Sequence, residues 1–508
     1  MPAPLDFEGG IWYDYLKENT KGSDNMSNPR HVLMIFCDQL RYDAMGAMGN
    51  PYIQTPNLDA LAAESVIFDR AQTPSPVCVP ARLSMLAGRY PARTGNNQNN
   101  KKFAYQGDGF YGMMTEGGYY TCCVGKMHNS RDLYGSMGFS ERHTQEEMTN
   151  LDDDYTQFIL NSPYRHVFDY NGHRSEMYYV PQISQLPAEY HPTQWIGDRS
   201  VEFIENCDAS RPNFLFSSFI HPHPPFCPPA PWNKLYRNFG QGIFCPPNYR
   251  ELKPLLHASF DCEEVLGLTP LAVQRLKNFY YACTSFVDYQ VGRIIKALKE
   301  KGMYEDTMII FTADHGDCMG DYANMGKRTM LDAAAHIPFM IKVPGQAACR
   351  RRDVASLVDV APTVLSHCGI SYADDEFDGI DLFSGKHDYV FSQYNDKTTG
   401  TYMIAGSDEK LIYNAPEGKF YYFNQFPESK NLYDPEDAHI AELQARLMDY
   451  YNSDVCPPSQ PGAPKKKKRK NDFGGGFMDH NVRHEEEAAR IPERYVIDLP
   501  YNDKSPVI

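Results

Sequence analysis

From His31 to about Gly369, short continuous apolar runs alternate with stretches of helical spacing. That alternation predicts an α/β protein whose large, mostly parallel sheet is sandwiched by helices. Val32–Cys37 is apolar at every position, as a strand buried on both faces requires. Tyr119–Val124, Phe214–Ile220 and Met308–Phe311 predict further buried strands. Asn57–Phe68 has helical spacing through Leu58, Leu61 and Ala62. Phe279–Lys299 has it through Phe286, Val287, Val291, Ile294, Ile295 and Leu298, with Gly302 just beyond as a stop. From about Tyr372 the texture becomes aromatic-rich and turn-rich, as in Tyr402–Ala405 and Lys410–Tyr413, before helical spacing over Pro435–Tyr450. The expected organisation is an N-terminal extension over 1–30, a main α/β unit over 31–371, a smaller α+β subdomain over 372–452 and a loop-rich tail over 453–508. No uninterrupted apolar run approaches the roughly 20 residues that span a bilayer.

The formal net charge of −16 disfavours nonspecific binding to nucleic acid or to an anionic membrane. Neither is expected as a partner, and the basic run Lys465–Lys470 reads as a solvated loop. The thirteen cysteines contain no CxxC pair, which indicates neither a zinc module nor a disulfide framework. Met1–Gly10 has no basic segment followed by an apolar one, so a cytoplasmic location is expected, or a periplasmic or secreted one if a leader has been removed.

The chemistry gathers at strand ends. Val32–Cys37 runs into Asp38 and Gln39, and Tyr119–Val124 into Lys126 and His128. Phe214–Ile220 runs into His221 and His223, and Met308–Phe311 into Asp314 and His315. Open parallel sheets bind ligands beyond the carboxyl ends of their strands, so one shared crevice is expected. A fifth element is Cys78-Val79-Pro80-Ala81-Arg82. Pro80 suits the first turn of a helix and Gly88 its C′ position. Cys78 then sits at a helix N-terminus, where free N–H groups and the macrodipole attract anions. Arg82, one turn in, is placed to fix the Cys78 loop or an anion.

Cys78-x-Pro80-x-Arg82, with Leu86 and Gly88 downstream, resembles the sulfatase-family signature whose cysteine is oxidised to formylglycine. Gly118-Tyr119-x-Thr121-x-x-Val124-Gly125-Lys126-Met127-His128 looks like the family's second signature. Asp314-His315-Gly316, followed by Gly326-Lys327-Arg328, is similar to its metal and lysine segment, and His223-x-Pro225-Phe226 to its histidine loop. These segments stand in the family's order and span roughly residues 30–370. Ala81 and Ala87 stand where Ser and Thr are frequent, Gln39 where many sulfatases carry a second aspartate, and His315 where some carry asparagine.

The resemblance implies an alkaline-phosphatase-like fold and hydrolysis of sulfate monoesters, of a sulfated carbohydrate or a small sulfated metabolite. It implies one divalent cation held by Asp38, Gln39, Asp314 and His315. Mostly oxygen donors suit a hard ion; the resemblance favours Ca²⁺, with Mg²⁺ or Mn²⁺ as alternatives. Residue 78, as hydrated formylglycine, is expected to attack sulfur with one hydroxyl and to expel sulfate once the other is deprotonated. Family position gives that base role to His128. Lys126 and Lys327 are expected to bind the sulfate, with Lys327 and His223 supporting the leaving oxygen. The implied partners are a small anionic sulfate ester and a formylglycine-generating maturation enzyme. Two rivals stand beside this expectation: a phosphonate or phosphate mono- or diesterase of the same superfamily, and a non-catalytic binder of sulfated glycans. Ser140–Trp195, rich in Tyr, His and Asp, is expected at the substrate rim; His173 and Arg174 there could contact a sugar but read better as solvated loop residues, and Thr193 as a helix cap.

Overall fold

The computed structural model describes residues 29–99, 107–129, 132–174, 177–237 and 242–455. The expected extension before residue 29, and the tail with its Lys465–Lys470 run, lie outside the described residues. Eight strands form the main sheet: β1 His31–Asp38, β2 Val66–Gln72, β3 Tyr120–Gly125, β4 Glu141–Thr144, β5 Asn213–Pro222, β6 Thr307–Ala313, β7 Phe339–Lys342 and β8 Cys349–Ser356. Their order is β4-β3-β5-β1-β6-β7-β2-β8, and β7 alone runs antiparallel to its neighbours.

β1 lies between β5 and β6 and sends alternate side chains to opposite faces. Leu33, Ile35 and Cys37 join a core with the helices Pro192–Asn206 and Pro270–Glu300. Val32, Met34 and Phe36 join another with the helices Cys78–Ala87 and Val360–His367. Helices on both faces explain why the run has no polar position.

The helix expected over Asn57–Phe68 spans only Pro56–Ala62, and Val66–Phe68 enters β2. Apolar spacing continues through the turn because helix and strand bury into the same body, so periodicity alone does not mark the boundary. The long helix begins at Pro270 rather than Phe279, with the Thr269 hydroxyl capping the Ala272 N–H at 3.2 Å. The C-terminal helix spans Ala438–Ser453, capped by Asp437.

A second sheet is an antiparallel meander of β9 Val390–Tyr394, β10 Thr401–Ala405, β11 Lys410–Asn414 and β12 Lys419–Phe423. Ile404 and Leu411 pack under the C-terminal helix with Ile440, Leu443 and Leu447. Met403 and Ile412 meet Met330, Leu331 and Val354 of the main body. At that junction the buried Lys410 Nζ donates to the Met330 carbonyl at 2.9 Å and pairs with Asp332 and Glu428, each at 2.5 Å. No helix among the described residues is long and apolar enough to cross a membrane.

Candidate active site

β3, β5, β1 and β6 are consecutive in the sheet, so their carboxyl ends open onto one crevice. The chain turns sharply there. Gln39 at φ 64°, His128 at φ 49° and Arg328 at φ 75° occupy the left-handed region, a conformation that costs free energy for a residue with a side chain. The Gln39 turn is clamped by Tyr280, whose hydroxyl donates to the Gln39 carbonyl and accepts from the Arg41 N–H, both at 2.8 Å. Gly125, at φ 98°, precedes Lys126, and a Cβ at this position would strike the Ser218 carbonyl oxygen.

Cys78 opens the helix Cys78–Ala87 and is 1% exposed; Gly88 closes that helix at φ 60°. Cys78 Sγ lies 2.9 Å from Lys327 Nζ, 3.4 Å from His315 Nε2 and 3.8 Å from Asp38 Oδ1. Burial would raise the thiol's pKa, but Lys327, Lys126 and His315, with a hydrogen bond from His128, hold it well below the ordinary value. The position stabilises negative charge.

Behind Cys78, Arg82 donates from Nε to Asp314 Oδ2 at 2.9 Å and from Nη2 to Asp38 Oδ2 at 3.3 Å. Its Nη1 donates to the Lys126 carbonyl at 3.1 Å and to Ser218 Oγ at 3.2 Å. The guanidinium fork is thus taken up by the two aspartates and two strand ends. Arg82 holds the carboxylates in place; it is not free to meet an anion.

Donor atoms of Asp38, Cys78, Asp314 and His315 lie within 4.8 Å of one another, all buried. His315 Nδ1 is 2.9 Å from the Gly316 carbonyl, which fixes its proton there and turns the Nε2 lone pair inward. Gln39 Nε2 is tied to the Asp317 carboxylate, so its Oε1 faces the cluster and accepts from Lys327 Nζ at 2.7 Å. Two carboxylates, an imidazole and an amide oxygen already facing an ammonium are a donor set that fits one divalent cation.

On the other side of Cys78, Lys126 pairs with both Asp38 and Glu147. Glu147 also meets Arg174 Nη2 at 2.9 Å and lies 3.8 Å from both His128 Nδ1 and His223 Nε2. Burial pushes the Glu147 carboxyl up, but His223, Lys126, Arg174 and His128 outweigh it and hold the group well below the usual carboxylate range. His223 Nδ1 is 2.7 Å from the Pro224 carbonyl, which leaves Nε2 facing the crevice.

All ten residues expected at the site, Asp38, Gln39, Cys78, Arg82, Lys126, His128, His223, Asp314, His315 and Lys327, are therefore brought together. Glu147, Arg174 and Asp317 complete the arrangement without having been expected. Arg174, expected in solvent, is buried against Glu147, whereas His173 is exposed and pairs with Asp169 at 2.7 Å. His221 stays apart, 2.9 Å from Thr193 Oγ1, with its pKa pushed down to about 3 by burial and then by His223. The cap expected of Thr193 comes instead from His191, whose side chain accepts the Thr193 N–H.

A family model described as Sulfatase matches residues 30–370. The chain belongs to the sulfatase family. Its relatives include an arylsulfatase of Clostridium perfringens, 27% identical over 438 residues, which cover 79% of this chain and 89% of the relative. A choline-sulfatase of Rhizobium meliloti is 29% identical over 67% of this chain and 68% of its own. The human iduronate 2-sulfatase is 27% identical over 68% of this chain and 67% of its own. Among solved structures, a phosphonate monoester hydrolase of Agrobacterium radiobacter superposes with a TM-score of 0.71 at 23% identity, covering 84% of this chain and 96% of that one. A 2-O GAG sulfatase superposes at 0.65 and 20% identity, covering 84% and 92%. These structures share the alkaline-phosphatase-like fold. This sulfatase is a sulfuric ester hydrolase, and its family uses a metal and a formylglycine.

Proposed function

We propose that this sulfatase hydrolyses monoesters of a sulfated carbohydrate or small sulfated metabolite, with residue 78 as formylglycine and Ca²⁺ on Asp38, Gln39, Asp314 and His315. One observation carries the reading: the donors of Asp38, Asp314 and His315 converge on the Cys78 side chain at a helix tip, with Lys126 and Lys327 flanking it. The cation would neutralise the ester oxygens, and the hydrated aldehyde would supply a nucleophile that a thiol cannot replace.

The chain's own side chains do the rest. Arg82 keeps both aspartates aimed at the cluster. Lys327 and Lys126 draw the sulfate oxygens toward residue 78 from two sides. His128 takes a proton from the residue 78 hydroxyl, and His223 presents Nε2 to the leaving oxygen. Mass spectrometry of the Cys78 peptide, after expression beside a maturation enzyme, tests the nucleophile, and turnover of aryl sulfates against aryl phosphate and phosphonate esters tests the reaction. Formylglycine at 78 and preference for the sulfate are expected. An unmodified thiol in that expression would favour a glycan-binding role, and faster cleavage of phosphorus diesters would favour the phosphonate or phosphate reading.

A further inference from the structure

Glu147 has no part in the reaction just described, yet it sits in the anion pocket. Donor atoms of Asp38, Cys78, Glu147 and His223 lie within 4.8 Å of one another. Its carboxylate thus lies within 4.8 Å of Cys78 Sγ, at the position of the proposed nucleophile. It is carried on the irregular segment between β4 and the helix Asp154–Leu160 and is 13% exposed. The charges around the incoming ester are then Lys327, Arg174 and Lys126, the last shared between Glu147 and Asp38, while Asp38 and Asp314 share the single guanidinium of Arg82 behind them.

From this placement we infer that Glu147 is a specificity-determining residue that restricts the site to monoanionic esters. A sulfate monoester carries one negative charge, as do phosphonate monoesters and phosphate diesters. A phosphate monoester has nearly the same shape but carries two charges above the second pKa of about 6. A fixed carboxylate beside the reacting centre penalises the second charge, and shape alone does not separate the two. Arg174, paired with Glu147 at 2.9 Å, sets how strongly that charge is felt. The inference rests on the catalytic reading of this site but not on its choice of sulfate over phosphonate.

Equilibrium binding separates the two questions. The full chain with unmodified Cys78, loaded with Ca²⁺ at about pH 8, is titrated with phenyl sulfate, phenyl phenylphosphonate and phenyl phosphate. In Glu147→Gln the affinity ratio of the dianion to either monoanion is expected to rise by about tenfold or more, whereas Glu147→Asp, which keeps the charge, holds the original ratio. Arg174→Gln is expected to move the ratio the other way and serves if Glu147→Gln does not fold. A ratio that stays within about twofold in both charge-removing variants overturns the inference, as does an equal loss for all three ligands. If phenyl phenylphosphonate binds far better than phenyl sulfate while the ratio still responds, the sulfate reading fails and this one stands.

Discussion

Replacing Arg82 by methionine removes the guanidinium that holds Asp38 and Asp314 while keeping most of the side chain's apolar length. Two ion pairs go, at 2.9 Å to Asp314 and 3.3 Å to Asp38, with the hydrogen bonds to the Lys126 carbonyl and Ser218 and the contact over the Phe36 ring at 4.8 Å. A unit-charge pair at about 3 Å, in an effective dielectric of about 20, is worth about 5–6 kcal/mol before desolvation. Net of desolvation, removing one partner of a buried pair costs about 3–5 kcal/mol. Asp38 keeps Lys126 as a partner, and Asp314 keeps the backbone N–H groups of Gln39 and His315 with the His315 ring 3.6 Å away. The expected loss is therefore near the middle of that range, about 4 kcal/mol, a large share of the ~5–15 kcal/mol by which domains are stable. Denaturant unfolding in chelator measures it. A divalent cation restores the missing positive charge, so the deficit should fall by about half or more at saturating Ca²⁺. A variant within about 1 kcal/mol of the wild type in chelator, or one whose deficit does not change with Ca²⁺, refutes the claim that Arg82 acts by charge compensation.

Asp38→Asn removes one carboxylate from the donor cluster; a calcium titration followed by thermal shift should show affinity weakened by about tenfold or more. Asp288, whose carboxylate accepts the Leu58 N–H and an Asn57 amide proton at 2.8 Å each, has its pKa pushed up to about 6 by burial. A raised folded-state pKa means that its contribution is fully present below about pH 4 and lost as pH rises through about 6. Asp288→Asn should therefore gain stability relative to wild type by about 2–3 kcal/mol between about pH 4 and about pH 8, read from urea unfolding at each pH. Lys410→Met leaves Asp332 and Glu428 buried beside each other without their shared ammonium, and should lower unfolding free energy by about 3–5 kcal/mol in denaturant titrations.

The strands that carry the site were legible because full burial demands mostly apolar runs, and each run leads within a few positions to a polar residue of the crevice, Asp38, Lys126, His223 or Asp314. The Cys78 helix was legible through Pro80 and Gly88, residues whose backbone constraints are local. β8 was not, because Cys349-Arg350-Arg351-Arg352-Asp353 forms the outer half of an edge strand and exposes side chains that no buried strand would. Glu147 and Arg174 fell only within the expected rim segment, with nothing to place them beside Cys78, since both sit on irregular segments where no period exists and meet only through tertiary packing. Asp317, three positions after Asp314, had a cue in that closeness alone; its carboxylate accepts from Gln39, Met319 and Gly326 and braces the loop leading to Lys327.

The ammonium buried between the two sheets reaches further than the seam it closes. Met330 and Asp332, which it grips, follow Lys327 within the same short stretch of chain, so the lysine beside residue 78 is splinted by a hairpin of the second sheet. By Lys327 a nascent polypeptide carries every residue proposed for the site, but not the brace, which waits on Lys410 and Glu428. Loss of the meander through truncation or cleavage would remove Lys410 and Glu428 from behind Met330 and Asp332 while leaving every motif of the sequence in place.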